Sequence, residues 1–584
     1  ATISGTTTVC QNTASPNITF ANPTSIAITV TYRINSGANQ AINVGANTTA
    51  NLAAPTTTSG TFAYSLVSVV YQSAPSCSTT ITGTATITVN PPPTVANAGP
   101  DQTGAATCGL TSVTLAGNTP SVGTGTWSII SGTGGTVTTP SSATSTFSGT
   151  AGSTYTLRWT IANSPCTSST DDVVITFNIS PSAPAVGTIT NVTCSSTTGS
   201  VVLSGVQNGW VITQSGTASG SYTSSGTSYT VTGLAVGNYT FRVSTASGCI
   251  SPNSANVAIL DVSSATWNGT EWVGGIAPDA TRNAIINGPF TISSNLTACS
   301  LTINTGVVVT VASGVTLTIT NAVTTNGQLI FENNASLVQT TNVTNTGAIE
   351  YRRKSAAMKN FDYTYWSSPV TGQNIVALSP NTLADKYFRF SGSANDWVLY
   401  NDPATSTMIP GVGYIIRTPK EGNPWPNGEI VSFPYSQPVA FKGVPNNGDY
   451  SFSAGAGEFN LIGNPYPSAI DADSFMTNTN NASIINGALY FWTHNTVITN
   501  NEYTADDYAS YTLTGGTGTG GVGNFVDANN NGIMDPVEEV VSNRPLGKIA
   551  AGQSFFVENS IAGSFQFTNA MRVTGNNSQF FKQA

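Results

Sequence analysis

The stretch that most directly decides the fold of this chain reads YTLRWTI at residues 155–161. Apolar and polar side chains alternate along it, and a period of two places the apolar ones on one face of a β-strand. The same alternation occurs at residues 28–32 (ITVTY), 85–89 (ATITV) and 173–177 (VVITF). The best helical candidate is short, at residues 470–476. The sequence therefore predicts an all-β protein.

Charged residues are scarce in the 584-residue chain. It has 17 Lys and Arg against 26 Asp and Glu, a net charge of −9. Nucleic-acid binding needs a dense cationic surface, so the composition excludes that class. No apolar run approaches the roughly 18 residues of a membrane helix, so we predict no transmembrane segment. With so few charges, we expect target recognition by hydrogen bonding and aromatic stacking, not by ionic steering.

Proline-rich segments at 91–93 and 180–184 divide the first half of the chain. Such segments form stiff, extended linkers. We predict tandem β domains, with Trp127 and Trp159 in the core of the second. The predicted segments are three small Ig-like β-sandwiches, a parallel β-solenoid segment and a larger C-terminal β-sandwich domain, at 1–93, 94–182, 183–262, 263–355 and 356–584.

The solenoid prediction rests on short, closely spaced β segments. They read LTI at 301–303, VVVTV at 307–311, VTLTI at 315–319 and QLIF at 328–331, with Gly or Asn between them. A solenoid stacks such segments rung on rung and turns each corner with Gly or Asn. A fourth sandwich remains the competing interpretation.

Seven cysteines indicate an oxidising compartment, because small extracellular β domains are commonly tied by disulfides. We predict pairing between sequence neighbours, one bridge inside each sandwich. The predicted pairs are Cys10 with Cys77, Cys108 with Cys166, and Cys194 with Cys249. Six buried free thiols are the alternative. Cys299 is left over and is expected to be a buried small hydrophobe.

A calcium loop is the sharpest local motif. Residues 527–538 read DANNNGIMDPVE and match the EF-hand ligand pattern. Because the preceding segment is too rich in glycine for an entering helix, we predict a structural Ca²⁺ loop without paired helices. An Asn/Asp turn satisfied by its own backbone is the alternative. The predicted ligands are Asp527, Asn529, Asn531, Ile533 through its carbonyl, Asp535 and Glu538.

Catalytic signals are weak. The single histidine, His494, is expected to be structural, and residues 516–521 form a glycine-rich loop and not a dinucleotide site. Two other groups could act on sugars, as a carboxylate pair or as a stacking platform. The first group comprises Asp471, Asp473, Asp506 and Asp507, and the second comprises Trp366, Trp397, Trp425 and Trp492. Tryptophans more often pack in a hydrophobic core than bind a sugar, so core packing is the competing interpretation for the second group. We therefore predict no catalytic residues and no enzyme.

Several segments carry a family resemblance. They are WSSPV at 366–370, GVGY at 411–414, LIGNPYPSAI at 461–470, YFW at 490–492, GQSFFV at 552–557 and NAMR at 569–572. This set resembles the C-terminal region of large secreted surface proteins of Bacteroidota that are exported by the type IX secretion system. WNGTEW at 267–272 resembles the segment that precedes that region. ANAGPDQ at 96–102 resembles PKD-like or Ig-like repeats, and residues 233–249 resemble flavobacterial adhesin repeats.

The resemblance implies export by type IX secretion components, a location on the outer surface of the cell, and a role in attachment, including gliding. A sorting domain is expected to follow in such proteins, and this sequence ends without one. The leading hypothesis is a non-catalytic adhesin or stalk that binds a glycan or protein outside the cell. The alternatives are a polysaccharide-binding or polysaccharide-degrading protein and a filament subunit.

Overall fold

The computed structural model describes residues 1–400, 405–422, 430–493, 507–518 and 545–578, and the backbone of two short strands between 498 and 503. The chain divides into two compact units. The first holds residues 1–189, 200–232 and 237–258, and the second holds 190–199, 233–236 and 259–584. The all-β prediction, with tandem Ig-like sandwiches and a solenoid, is confirmed.

The first sandwich packs a three-stranded sheet, in the order β1-β3-β6, against a larger sheet in the order β2-β9-β7-β4-β5, with β8 beside β7. Alternate residues of β4 and β9 point into the core, as their period of two predicts. The strands are β1 Thr2–Ser4, β2 Thr7–Cys10, β3 Asn17–Ala21, β4 Ile28–Ile34, β5 Asn39–Val44, β6 Thr49–Ala53, β7 Gly60–Tyr71, β8 Ser78–Thr80 and β9 Thr84–Asn90.

The second sandwich contains the sheets β10-β13-β12 and β11-β14-β15. Trp127 and Trp159 are buried with ring centres 4.9 Å apart, which confirms their place in the core. A short 3-10 turn, Gly104–Thr107, precedes the strands. They are β10 Ser112–Thr114, β11 Thr124–Ser131, β12 Thr136–Val137, β13 Thr146–Ser148, β14 Thr154–Ala162 and β15 Ser169–Thr176.

The third sandwich has the sheets β16-β17-β20 and β19-β18-β21-β22. The segment Thr190–Gly199, which connects β16 to β17, belongs to the second unit. The strands are β16 Ala185–Thr190, β17 Gly199–Ser204, β18 Val211–Gly216, β19 Gly220–Thr223, β20 Ser228–Leu234, β21 Gly237–Ser244 and β22 Val257–Ile259.

A parallel solenoid of about four turns spans residues 264–351. Three parallel ladders form its faces, and equivalent apolar residues stack from rung to rung, as Val309 pairs with Leu329 and Leu317 with Leu337. A 3-10 turn lies at Val273–Gly275. The strands are β23 Ser264–Trp267, β24 Asn283–Ile286, β25 Phe290–Ile292, β26 Leu296–Ala298, β27 Leu301–Ile303, β28 Val308–Val311, β29 Thr316–Ile319, β30 Val323–Thr325, β31 Gln328–Phe331 and β32 Ser336–Gln339.

The C-terminal region is a larger antiparallel β domain. The helical candidate at 470–476 corresponds to α2, Ala472–Thr477, which lies between α1, Ile375–Leu378, and α3, Thr479–Ala482. A 3-10 turn lies at Asn569–Met571. The described strands are β33 Ile349–Met358, β34 Tyr363–Trp366, β35 Val370–Thr371, β36 Tyr387–Ser391, β37 Asp396–Leu399, β38 Tyr414–Arg417, β39 Tyr435–Pro445, β40 Tyr450–Ala454, β41 Phe459–Gly463, β42 Ala469–Asp471, β43 Ile485–Trp492, β44 Ile498–Thr499, β45 Glu502–Tyr503, β46 Tyr508–Thr512, β47 Gly515–Thr517, β48 Lys548–Ile549, β49 Ser554–Asn559, β50 Gly563–Phe567 and β51 Arg572–Val573.

Strand β33 joins the solenoid to the C-terminal domain. It runs parallel to β31 on one side, with Phe331 opposite Tyr351, and antiparallel to β39 on the other, with Tyr351 opposite Phe441. One hydrophobic core continues from Ala284 in the solenoid to Ala551. A single sheet and a single core therefore cross the position at 355 where the sequence suggested a division. The other predicted segment limits remain predictions.

Candidate functional site

The predicted calcium loop falls outside the described residues. All six proposed ligands lie in the segment 519–544, and His494, Asp506 and Trp425 also lie outside the described residues. Among the residues that are described, no three His, Cys, Asp or Glu side chains form a group able to hold a metal ion. Calcium binding therefore stays a prediction.

Two of the candidate carboxylates hold the fold around α2. Asp471 caps that helix by accepting a hydrogen bond from the Ser474 amide at 2.7 Å, and it pairs with Lys548. Burial would raise the pKa of Asp471, but the hydrogen bonds from Lys548 and Ser474 lower it below its ordinary value. Asp473 accepts a 2.8 Å hydrogen bond from the Tyr511 hydroxyl. Both have structural partners, and Asp507 is buried.

The candidate tryptophans separate into different environments. Trp366 is fully buried and packs edge-on against Phe441. Trp492 is 8% exposed and stacks on Tyr365 with ring centres 5.8 Å apart. Trp397 is half-buried on the same aromatic face. The structure therefore brings Trp397 and Trp492 together and places Trp366 in the core.

The disulfides pair differently from the prediction. Cys10 bonds to Cys166, Cys108 to Cys249, and Cys194 to Cys299, and Cys77 is free and exposed. The predicted bridges Cys10–Cys77, Cys108–Cys166 and Cys194–Cys249 are therefore wrong. Cys299 is buried, as expected, but as half of a disulfide.

Strand length explains why the predicted bridge in the first sandwich cannot form. Cys10 pairs with Asn90 at the end of β9, which lies beside Gly60, the first residue of β7. Cys77 lies beside the last residue of β7, because its carbonyl accepts a hydrogen bond from the Tyr71 amide. Strand β7 has 12 residues, which span about 40 Å at 3.4 Å per residue. A disulfide needs Cα atoms within about 7 Å.

The same reasoning applies to the second sandwich. Cys166 lies in the turn just before β15, which begins at Ser169. Cys108 lies near the other end of β15, because the amide of the next residue, Gly109, donates to the carbonyl of Asn178, two residues after that strand ends. Consequently the bridge to the first sandwich and the bridge to the third leave from opposite ends of β15.

Hydrogen bonds reinforce the junction at Cys10–Cys166. The Asn90 side chain donates to the Ser164 carbonyl at 2.6 Å, and the Asn163 side chain donates to the Pro91 carbonyl at 2.7 Å. Asn90 ends β9, and Asn163 follows β14. The linker between the two sandwiches is thus fixed by a disulfide and two side-chain hydrogen bonds.

The Cys194–Cys299 bridge lies within the second unit. The Cys194 amide donates to the Thr281 carbonyl at 3.0 Å, and the Cys299 amide donates to the Arg282 carbonyl at 2.8 Å. Both half-cystines are therefore held against consecutive residues of one segment. This fixes the 190–199 segment to the first rungs of the solenoid.

A buried arginine connects the solenoid to the C-terminal domain. Arg572 donates to the Leu337 carbonyl at 2.5 Å and to the side-chain oxygens of Asn447 and Asn569, each at 3.0 Å. Burial lowers its pKa to about 10, so it remains charged at neutral pH. Among the described residues it has no carboxylate partner, and backbone and amide oxygens satisfy it instead.

Residues 261–584, more than half of the sequence, match a family described as a domain of unknown function, DUF8693. The chain belongs to the DUF8693 family. A comparison with curated proteins gives no match. The DUF8693 match begins close to Ile259, where the main segment of the second unit starts, so it covers both the solenoid and the C-terminal domain.

Several solved structures resemble parts of the DUF8693 chain. An Antarctic bacterium's Ca²⁺-stabilised adhesin that binds ice is 15% identical, with 46% of this chain and 76% of that one covered and a TM-score of 0.21. Invasin, a bacterial integrin-binding protein, is 11% identical, covering 95% and 99%, with a TM-score of 0.23. The FN1–FN3 domains of chicken CNTN1 are 13% identical, covering 44% and 99%, with a TM-score of 0.19. Likenesses this weak identify no function.

Sequence reasoning missed Cys299 as a disulfide partner and Arg572 as a buried structural residue of the DUF8693 region. The spacing of cysteines along the sequence does not show which strand ends lie close together in the fold, and that proximity decides which cysteines pair. In the sequence, the NAMR segment that contains Arg572 stands out only through its resemblance to surface proteins. In the part of the chain that the structure describes, no helix has the length and apolar character to cross a membrane.

Proposed function

We propose that this chain is a part of a secreted cell-surface adhesin that carries tension, and that it has no catalytic activity of its own. One observation carries the proposal: two disulfides connect consecutive β-sandwiches and the third ties the 190–199 segment to the solenoid, so none of them joins the two ends of one domain. A bridge inside a domain stabilises that domain alone. Bridges between neighbouring domains also keep longer stretches of chain from extending under tension, here loops of 156 and 105 residues.

The overlap of the disulfides defines a covalent path for force. From residue 10 to residue 299 the shortest path runs through Cys166 and Cys194, so it bypasses residues 11–165 and 195–298. Cys108–Cys249 joins the two bypassed loops to each other. Tension applied to the termini therefore acts on residues 167–193 and on the chain outside 10–299.

The proposed route to the surface is the type IX secretion system, and the proposed role is attachment, including gliding, to a glycan or protein target. The support is the resemblance of the segments at 366–370, 461–470 and 569–572 to surface proteins of Bacteroidota exported in that way. A structural Ca²⁺ ion at Asp527–Glu538 is part of the proposal, with the sequence motif as its support.

Labelling of intact cells tests the proposal. Antibody against the purified chain should bind unpermeabilised producing cells, and brief protease treatment of whole cells should remove the label. Deleting the gene should reduce attachment, complementation should restore it, and disabling a type IX secretion component should abolish the label. Label that needs permeabilisation, with a cytoplasmic marker as control, would contradict a surface location.

A secreted polysaccharide-binding protein is the second candidate, and one observation favours it. Two sheets of the C-terminal domain share a half-buried aromatic face packed on Tyr365, Trp492 and Phe556. Its partly buried members are Tyr363, Phe388, Phe390, Trp397, Phe459, Tyr490 and Tyr508. Retention on polysaccharide gels that falls in Trp397→Ala but not in Trp210→Ala, a half-buried tryptophan of the third sandwich, would support it.

A further inference from the structure

A charged cleft lies above the sheet formed by β31, β33 and β39. Its volume is about 840 Å³, within the roughly 300–1,000 Å³ of ligand pockets. The sheet forms the floor, and the segment 372–380, which includes α1, forms a wall. The apolar side chains of the lining are Ala377, Leu378, Pro380, Pro438, Val439 and Ala440.

The alternation of β33 places charges on the cleft side. Tyr351 and Arg353 are buried, so Glu350, Arg352 and Lys354 lie on the opposite face. The antiparallel register adds Lys442 directly across from Glu350. Three of the 17 Lys and Arg residues, Arg352, Lys354 and Lys442, thus lie on one face of two paired strands in a chain with a net charge of −9.

Part of this charge is neutralised locally. Arg352 contacts Glu332 at 2.7 Å and Glu350 at 2.6 Å, and Lys442 contacts Glu350 at 3.2 Å. Burial would raise the pKa of Glu350, but the hydrogen bonds from Arg352 and Lys442 lower it, so Glu350 is ionised at neutral pH. Three cations then face two carboxylates.

Lys354 supplies the uncompensated charge. Its side chain is exposed, and its ammonium has no ion pair or hydrogen bond with another described residue. The backbone beneath it is fixed, because the Lys354 amide donates to the Asn333 side-chain oxygen at 3.0 Å. Asn333 lines the same cleft, and its side-chain nitrogen takes no part in that bond.

We propose that this cleft binds an acidic saccharide, one bearing carboxylate or sulfate groups. Lys354 lies opposite Pro438, four positions along β39 from Lys442, so the two lysines would hold anionic groups on different sugars, and the Asn333 amide would donate to a sugar oxygen. This inference names the ligand class of the proposed adhesin and rests on that function.

A saccharide fits the cleft better than an acidic peptide does. Peptides commonly bind sheets by adding a strand at a free edge. Under the cleft, β33 lies between β31 and β39, and the outer edge of β39 is interrupted, because Pro438 has no amide hydrogen and the Lys442 amide already donates to the Gln373 side-chain oxygen at 2.6 Å. Recognition must therefore come from side chains on the sheet face, which suits a ligand rich in hydroxyl and anionic oxygens.

Binding of the full, oxidised chain to defined probes tests the inference. The probes are oligogalacturonate, heparin-derived oligosaccharide, neutral dextran oligosaccharide and a hexaglutamate peptide. We expect affinity for the carboxylated or the sulfated saccharide, falling with salt, and little for dextran. Which of the two binds identifies the anion.

The double variant Lys354→Ala/Lys442→Ala should weaken this binding by about tenfold or more, because two charge-assisted hydrogen bonds are lost. Lys354→Arg should stay within about twofold of wild type, since the charge is kept. Arg33→Ala, an exposed cation of the first sandwich, is the charge-matched control and should bind like wild type. Both lysines are exposed, so circular dichroism should not change.

Equal binding by the double variant, equal binding to dextran, or tighter binding to hexaglutamate would each overturn the assignment. A chain that is found on the cell surface and promotes attachment, yet binds neither acidic saccharide, would refute the cleft and leave the adhesin proposal standing. A chain that binds an acidic saccharide but is found only inside cells would support the cleft and refute the adhesin proposal.

Discussion

The guanidinium of Arg572 lies over the ring of Tyr466, with its central carbon 4.8 Å from the ring centre. Tyr466 belongs to the GNPYPS segment, and its hydroxyl donates to the Gly448 carbonyl at 2.7 Å. The next residue, Pro467, accepts from the Leu337 amide at 2.7 Å, and Arg572 donates to the Leu337 carbonyl. Two segments noticed for their resemblance to surface proteins therefore meet at one solenoid rung.

Replacing Arg572 by Lys should destabilise the second unit by about 2 kcal/mol. A single ammonium cannot reach the four acceptors of the guanidinium, which are Ser468, Asn447, Asn569 and the Leu337 carbonyl, and buried oxygens left without donors are costly. Urea unfolding followed by tryptophan fluorescence measures the effect, because six of the nine tryptophans follow residue 261.

Arg389→Lys is the matched control for that variant. Arg389 is exposed on β36, so its replacement should change the unfolding free energy by no more than about 0.5 kcal/mol. Equal effects of the two substitutions would contradict the structural role of Arg572.

The native, unreduced protein should contain one reactive thiol, at Cys77. Cys77 is exposed, whereas Cys299 is buried in a disulfide. Thiol titration without denaturant should give one equivalent for wild type and none for Cys77→Ser, and peptide mapping should recover Cys194 joined to Cys299. A reactive thiol that remains in Cys77→Ser would show that at least one of the three disulfides is not formed as in the structure.

Acid should weaken the C-terminal domain partly through Asp471. Its pKa is lowered in the folded state, so its ionised form contributes stability above the ordinary carboxyl value near 4. That contribution disappears as pH falls through the folded-state pKa. Asp471→Asn should therefore be less stable than wild type at pH 7 and should approach it at pH 3.

Urea midpoints at the two pH values test this, with Glu421→Gln at an exposed carboxylate as the control. If Asp471→Asn lowers the stability by the same amount at pH 3 as at pH 7, ionisation of the Asp471 carboxylate does not contribute to the stability of the domain.

Calcium should bind to the full chain with one-to-one stoichiometry through residues 527–538. Glu538→Gln should weaken binding because the predicted bidentate carboxylate is lost. Isothermal titration measures both, with Glu558→Gln as the control outside the motif. Absence of calcium binding to the wild type would leave the motif as an Asn/Asp turn.

Local patterns predicted the fold because they reflect local physics. The alternation at 155–161 became β14, and the Gly- and Asn-punctuated segments at 301–331 became stacked rungs. In both cases side-chain period and turn chemistry are properties of a few consecutive residues.

The cysteine pairs and the cleft could not be predicted in this way. Cys10 and Cys77 are separated by the full length of β7, and only the register of β2, β9 and β7 shows it. Lys354 and Lys442 are distant in sequence and come to lie on neighbouring strands of one sheet because β33 pairs with β39. The scarcity of charge suggested non-ionic recognition, but a mean composition does not show where the few charges gather.

Single-molecule pulling from the two termini, before and after reduction, tests most directly how the disulfides route tension through the chain. Intact disulfides should keep loops of 156 and 105 residues out of the extended chain. Reduction should then add about 90 nm of contour length, at about 3.4 Å per residue. An increase of about 60 nm would match bridges between sequence neighbours, and that result, or no increase, would contradict cross-links between consecutive domains.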